Sequence, residues 1–476
     1  MKVLSSSTAA NAIVAVAAKV SVFDPLAAIE AGKKTHLCPW LHTARHIEQF
    51  DYYHPTRDIL VKPCCSLRPQ DPKDFQLDTG TAEKNIARMA QEFEQGQWPI
   101  ECQVCHQEEN QGMVSERLRA FEANIARPDA MSAIRHIHLK FSNLCNMACR
   151  VCTTTESTLY GRTVETQDPS VFTQADITQH RDWSMLLDYI EPRILASDPI
   201  KICLVGGETT LAPGIQVLAQ WLIDRGHIKR VEFVFSSNCL NMPDRLLDLL
   251  AQSSRIVIAA SLDSTHDNFH YVRWPGTWQR ATATVDKILA YRREHNVDIT
   301  LQISPNFNIN NIFYLDDFLD YWSDHEYDSM MVFNVYAPEV FRVDTLPAYM
   351  RPAILERLNA CLNHRFFAQD RDTKAVMSWL LTTIERLSDL SNVDEILWNR
   401  YLVVNAEFDH VTDTRLWDYN SRLAQAMSRD DTEYYHQALT SAAQSRITEK
   451  PGMLFDRTSS QWNLIPIRTN YMEKTC

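Results

Sequence analysis

The chain has 476 residues, of which 45% are hydrophobic and 22% charged, enough for a large core in more than one domain or in one barrel with additions. Its net charge of −13 argues against a nucleic-acid partner, because such partners usually meet a basic stripe. Apolar runs are too short for a membrane span, and Asn11 and Lys19 interrupt the Ala-rich stretch Ser5–Val20, which favours an N-terminal tail or helix over a cleaved signal.

Residues 1–130 are rich in cysteine and predict a small module stabilised by a metal, with a polar helix over Thr81–Gln95. The thiols of this part belong to Cys38, Cys64, Cys65, Cys102 and Cys105. Closely spaced cysteines are typical of metal ligands more than of disulfides, so we expect a reducing, cytoplasmic compartment. The spacing suits either an iron-sulfur cluster or a structural zinc ion, and it leaves the choice between Cys64 and Cys65 open.

Residues 131–340 show short β-branched runs that alternate with amphipathic helical patterns, as in parallel β/α units. The runs predicted to be strands are Ile134–Phe141, Ile200–Val205, Val231–Phe235, Ile256–Ala260, Ile299–Ile303 and Met330–Val335. The helical patterns between them cover Trp183–Ile194, Ile215–Asp224, Pro243–Leu250, Trp278–Glu294 and Ile312–Trp322. Six strands predict a partial, TIM-like (β/α)6 barrel and not a complete one.

A distinctive group of residues stands at the end of each predicted strand. In chain order the groups are the loop Cys145–Cys152, Gly206-Gly207-Glu208, Ser236-Ser237-Asn238, Ser261-Leu262-Asp263, Ser304-Pro305-Asn306 and Tyr336. Because active sites of parallel β/α barrels are built at the carboxyl ends of the strands, these groups predict one common site.

Residues 341–476 predict a helical C-terminal region. Its candidate helices are Ala353–Leu362, Ala375–Leu390 and Thr414–Ala443. This region contains no motif that indicates a chemical role. The predicted fold class is therefore α/β, with a cysteine-rich N-terminal module, a partial barrel and a helical C-terminal region.

The loop after the first predicted strand contains Cys145, Cys149 and Cys152 in the spacing C-x3-C-x2-C. Three thiolates in one short loop are good ligands for a soft metal centre, and they leave a tetrahedral centre one ligand short. The spacing alone also suits a zinc loop. The motif resembles the one that defines the radical S-adenosylmethionine (radical SAM) superfamily, although Val151 replaces the usual aromatic residue. The resemblance implies that the three cysteines hold a catalytic [4Fe-4S] cluster.

Groups at the later strand ends resemble those with which radical SAM enzymes bind S-adenosylmethionine. The Gly-Gly-Glu group is similar to the superfamily's second signature, in which glycines allow close approach to a ligand and the carboxylate accepts from the methionyl amine. Four further residues resemble those that contact the methionyl carboxylate, the ribose or the substrate in the superfamily: Ser237, Asn238, Asp263 and Arg273. Each of them alone also fits a turn. The residues implied to bind the cofactor are Gly206, Gly207, Glu208, Ser237, Asn238, Asp263 and Arg273.

The resemblance implies a specific reaction. One electron from the reduced cluster cleaves the C–S bond of S-adenosylmethionine, and the resulting 5′-deoxyadenosyl radical removes a hydrogen atom from the substrate. The electron is expected from an external donor such as flavodoxin or ferredoxin. No membrane partner is expected.

The N-terminal thiols resemble the SPASM/twitch segment of radical SAM maturases, although here they precede the barrel and do not follow it. This resemblance implies an auxiliary [4Fe-4S] cluster and a peptide or protein substrate, so the predicted activity is that of a peptide maturase. A dehydrogenase or epimerase acting on a sugar-like small molecule is the alternative enzyme. A metal-containing binding module without catalysis is the alternative from another class.

Overall fold

An eight-stranded, mostly parallel sheet organises the structure. The structure is a computed structural model that describes residues 38–48, 59–67, 69–77, 80–110, 115–118, 120, 133–153, 156–165, 183–335, 338–445, 453–456 and 461–464. The stretch Ser5–Val20 and Tyr336, both considered in the sequence analysis, lie outside these ranges. The strands are β1 (Ala44–Glu48), β2 (Leu60–Lys62), β3 (His136–Lys140), β4 (Ala148–Cys149), β5 (Ile200–Val205), β6 (Val231–Ser237), β7 (Arg255–Ala260), β8 (Arg273–Trp274), β9 (Ile299–Ile303), β10 (Asn306–Phe307), β11 (Ser329–Met330), β12 (Phe333–Asn334), β13 (Met453–Asp456) and β14 (Gln461–Leu464).

The α-helices cover the barrel and form most of the region that follows it. They are α1 (Pro39–Thr43), α2 (Thr81–Glu94), α3 (Gln103–Asn110), α4 (Thr158–Tyr160), α5 (Ser184–Ala196), α6 (Pro213–Asp224), α7 (Asp244–Leu250), α8 (His266–Val272), α9 (Trp278–His295), α10 (Leu315–Asp324), α11 (Arg351–Cys361), α12 (Lys374–Ser388), α13 (Glu395–Thr412), α14 (Leu416–Tyr419), α15 (Ser421–Ala426) and α16 (Arg429–Ser445).

The strand order in the large sheet is β11-β9-β7-β6-β5-β3-β1-β2, and every neighbouring pair is parallel except β1 with β2. Six strands of this sheet, β3, β5, β6, β7, β9 and β11, correspond to the six predicted strands, which confirms the partial TIM-like barrel. One face of this sheet, including Ile137, Ile202 and Phe233, is buried in the same core as Ile190 of α5 and Leu218 of α6. The alternation of buried apolar and polar residues along β3 and β5 therefore separates a helix-covered face from the concave face.

The N-terminal module shares its sheet with the barrel. Strand β1 lies parallel to β3, with Ala44 opposite His136 and Glu48 opposite Lys140. The short β2 closes this edge as an antiparallel partner of β1. The cysteine-rich module therefore packs directly against the first strand of the barrel, although it precedes that strand in sequence by many residues.

The sixth barrel strand is shorter than predicted. Only Ser329–Met330 pairs with β9, after which Phe333–Asn334 pairs with Asn306–Phe307 as a separate small sheet. Pro305 follows β9 and has no N–H to extend the ladder, and its carbonyl instead accepts from Phe333 N at 2.9 Å. The chain thus leaves the barrel edge earlier than the β-branched pattern indicates.

The helical C-terminal region is confirmed, but two details of the prediction are wrong. The segment Thr414–Ala443 is three helices, α14 to α16, and the eighteen-residue helix α13 was not predicted. The buried face of α13 includes the polar residues Asn405 and Asp409, which interrupt the apolar period that identifies a helix in sequence. The domain boundaries at residues 130 and 340 stay predictions.

Candidate active site

The three-cysteine loop lies at the carboxyl end of β3 and is held by backbone pairing. Strand β4, which contains Cys149, is antiparallel to β8, and Arg150 N donates to Val272 O at 3.0 Å. Met147 and Ala148, within the loop, are fully buried. The loop therefore has a defined backbone and is not merely a surface turn.

The two glycines at the end of β5 bring that strand end against the start of the cysteine loop. A Cβ added at Gly206, where φ is 124°, would lie 2.4 Å from Ser142 O, and one at Gly207 would lie 2.4 Å from Leu144 O. Gly207 N donates to Ser142 O at 3.1 Å and Glu208 N to Leu144 O at 2.8 Å. Glycine is thus required here because two strand ends approach each other closely. The close approach predicted from the sequence was instead to a ligand.

Glu208 connects the second and third strand ends through its buried carboxylate. Oε1 accepts from Thr210 N at 3.2 Å, from Thr210 Oγ1 at 2.8 Å and from Ser237 Oγ at 3.0 Å. Oε2 accepts from Asn238 N at 2.6 Å. Burial raises the pKa of Glu208 above its ordinary value, while these hydrogen bonds act in the opposite direction. Among the described residues Oε2 has one donor, so it keeps a lone pair for a ligand.

Asn238 extends this network to the cysteine loop. Its Nδ2 donates to Asn146 Oδ1 at 2.8 Å, inside the C-x3-C segment, and its Oδ1 accepts from Leu240 N at 3.0 Å. Cys239 has a φ of 58°, so the backbone turns sharply just after the asparagine. The ends of β5 and β6 and the cysteine loop are therefore joined by a continuous series of hydrogen bonds.

Asp263 and Arg273 form a buried ion pair beside the cysteine loop. Arg273 Nε donates to Asp263 Oδ2 at 2.7 Å, and Arg273 Nη1 lies 3.8 Å from Cys149 Sγ. The other carboxylate oxygen of Asp263 accepts from Asn306 N at 2.9 Å. The guanidinium thus places a positive charge next to one predicted metal ligand, where it favours a thiolate.

Unpaired polar atoms lie at the second and fifth strand ends. Thr209 Oγ1 at the second, and Ser304 Oγ and Asn306 Oδ1 at the fifth, are buried and have no hydrogen-bond partner among the described residues. Buried polar groups are normally paired, so these atoms fit a polar molecule bound in the barrel mouth. Tyr336, the candidate at the sixth strand end, lies outside the described residues.

The thiols of the C-x3-C-x2-C loop are close enough to influence one another. Burial raises the pKa of all three, in Cys145 to about 12, and the sulfur of Cys149 adds to the effect on the other two. Cys149 is buried and Cys145 and Cys152 are half-buried. Three neighbouring soft donors that are poorly solvated as thiolates fit an iron-sulfur centre, since its positive irons stabilise the deprotonated form.

The five N-terminal cysteines are near enough in the structure for their thiols to influence one another electrostatically. Burial, followed by the sulfurs of Cys65, Cys38, Cys105 and Cys102, raises the pKa of Cys64 well above its ordinary value. Burial is also the main cause that raises the pKa of Cys38 to about 12 and of Cys105 to about 11. No disulfide joins any cysteine that the structure describes. Thiols separated by as many as 67 positions in sequence, from 38 to 105, thus lie in the same part of the fold.

One group in the site has no counterpart in the sequence analysis. Arg150, between two of the predicted ligands, is fully buried and contacts Asn405 and Asp409 of α13. An arginine inside a metal-binding motif is a signal of its own, but the helix that receives it was not predicted. The C-terminal region therefore reaches the candidate site through this side chain.

The loop cysteines fit a metal centre by the chemistry of their donors, but not by the present placement of their side chains: within the described ranges, no set of three or more histidine, cysteine, aspartate or glutamate side chains is arranged so that it could hold a metal ion. In the same part of the chain, no helix has the length and apolar character needed to cross a membrane.

The site is thus a thiol-rich centre at the mouth of a parallel partial barrel. Residues 139–310 match the sequence model of the Radical SAM superfamily. No curated protein matches the chain.

Solved structures resemble parts of the chain. Native anSMEcpe with bound AdoMet has 12% sequence identity and a TM-score of 0.36, over 50% of this chain and 63% of that one. Streptococcus suis SuiB bound to S-adenosylmethionine has 14% identity and a TM-score of 0.32, over 60% of each chain. The methyltransferase TsrM from Kitasatospora setae, with cobalamin and a [4Fe-4S] cluster bound, has 11% identity and a TM-score of 0.29, over 56% of this chain and 57% of that one. The chain spans about three fifths of the length of these structures.

Proposed function

We propose that this chain is a radical SAM enzyme that modifies a peptide or protein side chain. The observation that carries the proposal is the buried carboxylate of Glu208, which is bonded to two strand ends and, through Asn238, connected to the cysteine loop. A carboxylate held in this way beside three thiols suits a cofactor that presents an amine next to a metal centre. The match of residues 139–310 to the Radical SAM superfamily supports the same assignment.

In this proposal Cys145, Cys149 and Cys152 would hold a [4Fe-4S] cluster, and Glu208 and Arg273 would bind the methionyl amine and carboxylate of S-adenosylmethionine. When bound, the cluster and this cofactor supply a one-electron reductive cleavage that yields a 5′-deoxyadenosyl radical able to take a hydrogen atom from the substrate. The reducing electron is expected from an external donor protein.

The residues of the chain have separate tasks in the proposed site. Glu208 Oε2 offers its remaining lone pair to the amine, while Asp263 orients the Arg273 guanidinium toward the cofactor. Ser304 and Asn306 offer unpaired polar atoms to the ribose or the substrate. The fully buried Met147 and Leu262 exclude water from the base of the site.

For the N-terminal cluster we propose that the metal ligands are Cys38, Cys64, Cys102 and Cys105. Cys64 is half-buried and lies among the other sulfurs, whereas Cys65 is exposed with its Sγ 4.0 Å from Ser66 Oγ. A fully protein-ligated cluster here would suit a peptide maturase. It would lie on the same sheet as the active site but toward the opposite end, because Cys38 and Cys64 flank the amino end of β1, which pairs with the amino end of β3. Zinc is the alternative metal.

Iron analysis after anaerobic reconstitution tests the metal assignments. We expect about eight irons and eight sulfides per chain in the wild type, and about four in a variant with the three loop cysteines changed to alanine, since each cluster holds four irons. Cys64→Ser should also remove about four irons, whereas the matched control Cys65→Ser should remove none. Zinc in place of iron at the loop would contradict the enzyme assignment, and loss of iron only in Cys65→Ser would reverse the choice of ligand.

Product analysis tests the reaction. After reduction with dithionite, the reconstituted wild type should form 5′-deoxyadenosine from S-adenosylmethionine, and Glu208→Gln should form it more slowly with weaker cofactor binding. Incubation with a peptide library and with a sugar library, each followed by mass spectrometry, distinguishes the substrate classes. Turnover of sugars alone would contradict the peptide assignment, and absence of 5′-deoxyadenosine would contradict the radical mechanism.

A further inference from the structure

Arg150 is a completely enclosed charged side chain within the cysteine loop. It is fully buried, with its guanidinium carbon 3.6 Å from the ring centre of Tyr271 and 4.5 Å from that of Phe408. Both rings interact with it as cation–π partners. Such packing fixes the plane of the guanidinium and, with it, the direction of the loop backbone from which the side chain leaves.

The nitrogen atoms of this guanidinium bond to two separate parts of the chain. Nε donates to Tyr271 O at 2.7 Å, and Nη1 donates to Asn405 Oδ1 at 2.7 Å and Asn405 O at 3.3 Å. Nη2 donates to the Asp409 carboxylate and to Thr414 Oγ1, the second at 2.8 Å. The planar fork of an arginine can make these bonds at once, whereas a single ammonium group cannot.

The acceptors are themselves held in place. Asp409 also accepts from Leu416 N at 2.7 Å and from Tyr435 OH at 2.6 Å, and Asn405 Nδ2 donates to Tyr271 OH at 2.6 Å. These bonds connect α13, α14 and α16 to the segment that contains Arg273. The C-terminal helices therefore form a rigid receptor for one side chain of the cysteine loop.

We propose that Arg150 is a positioning residue, and that the C-terminal helical region serves the active site by holding the loop between Cys149 and Cys152 in the geometry for metal binding. This inference rests on the proposed function, because it assumes that the loop cysteines are metal ligands. It assigns a role to a region in which the sequence has no chemical motif. The hydrogen bonds of the Arg150 guanidinium go to Tyr271, Asn405, Asp409 and Thr414, so its effect on the cysteines passes through the loop backbone.

The test compares two conservative changes at buried arginines. Arg150→Lys keeps the charge but loses the fork. Arg351→Lys is the matched control, because Arg351 is also fully buried in the C-terminal region and donates to Leu346 O at 3.0 Å and Asp344 O at 2.7 Å, away from the loop. Both variants are expected to lower the melting temperature of the holoprotein. Only the first is expected to change the cysteine loop.

Two measurements separate positioning from general stability. In the metal-free full chain, the rate at which iodoacetamide alkylates Cys152, followed by peptide mass spectrometry, should rise about tenfold in Arg150→Lys and stay at the wild-type value in Arg351→Lys. In the reconstituted protein, the rate at which a chelator removes iron from the loop cluster should increase by a similar factor, about tenfold, only in Arg150→Lys. Equal rates in the two variants would overturn the inference.

If Arg150→Lys does not fold, Thr414→Val provides a milder change, since it removes one acceptor of the guanidinium and keeps the shape of the side chain. It should raise both rates in the same direction by a smaller factor, and unchanged rates would count against the proposal. Failure of the proposed function gives a different result: the wild type itself would then contain no iron that depends on Cys145, Cys149 and Cys152. Iron bound at the loop with equal rates in all variants would refute only the positioning role.

Discussion

Replacing Gly207 by alanine tests whether the Gly-Gly pair joins two strand ends. The added methyl carbon would lie 2.4 Å from Leu144 O and 2.6 Å from Asn143 C, and both contacts are to backbone that cannot rotate away. Because real Cβ contacts start near 3.0 Å, one of the two segments must move by about 0.6 Å. Such a shift stretches the hydrogen bonds from Gly207 N to Ser142 O and from Glu208 N to Leu144 O.

The expected cost is the sum of overpacking and weakened hydrogen bonds. Forcing a methyl group into a packed site costs about 1 to 3 kcal/mol, and each weakened backbone bond about 1 kcal/mol. We therefore expect Gly207→Ala to lower the free energy of unfolding by roughly 3 to 5 kcal/mol. Gly226→Ala is the control, because Gly226 has a φ of 71° but a Cβ there meets nothing within 4 Å. Its cost comes from backbone strain alone, about 1 to 2 kcal/mol.

Urea unfolding followed by circular dichroism measures both free energies by linear extrapolation. Calorimetric titration with S-adenosylmethionine adds a second readout, in which Gly207→Ala should bind more weakly than Gly226→Ala because the cysteine loop has moved. The reasoning is refuted if Gly207→Ala is no less stable than Gly226→Ala. It is also refuted if the two variants lose stability as expected but bind the cofactor equally well.

Three further predictions concern the barrel and α13. Asp263→Asn leaves Arg273 buried without its counter-charge and should cost about 3 kcal/mol in urea unfolding; a loss below about 1 kcal/mol would contradict the buried pair. Asp394→Ala removes the side chain that caps α13 and should lower the unfolding free energy by about 1 kcal/mol, whereas no change would show that the cap is not formed in solution. Burial lowers the pKa of His138 to about 3. Between about pH 6.5 and 3 the unfolded chain therefore binds a proton at this residue that the folded chain does not bind. The contribution of His138 to stability is lost as the pH falls through that window. The stability of the wild type relative to His138→Gln should therefore decrease on acidification, by less than about 1.4 kcal/mol per pH unit because the ring keeps some solvent contact, and a difference that is independent of pH would contradict this.

Much of the barrel could be predicted because its signals are local. A strand such as Ile200–Val205 is identified by its β-branched residues, and its observed bounds equal the predicted ones. The polar groups after each strand could be assigned to one face by the general rule for parallel barrels. The helix α13 could not be identified in this way, because Asn405 and Asp409 occupy its buried face and reduce the apolar contrast on which the prediction depends.

The spacing of the cysteines is also a local property of the sequence, but their tertiary contacts are not. The sequence predicts that Cys145, Cys149 and Cys152 lie in one loop, because the first and the last are only seven positions apart. It contains no local sign that Cys38 and Cys105 approach each other, or that β1 pairs with β3. Those contacts depend on which surfaces the folded elements bury against one another.

The sequence by itself thus determined the class of fold, the loop that contains three cysteines and the strand ends beside it. Only the tertiary structure decided that Glu208 is bonded to Ser237 and Asn238, and that Arg150 pairs with Asp409 at a distance of 259 positions along the chain. The physical reason is that periodicity and spacing are properties of short segments. Buried polar networks form only where distant segments pack together and each donor finds an acceptor.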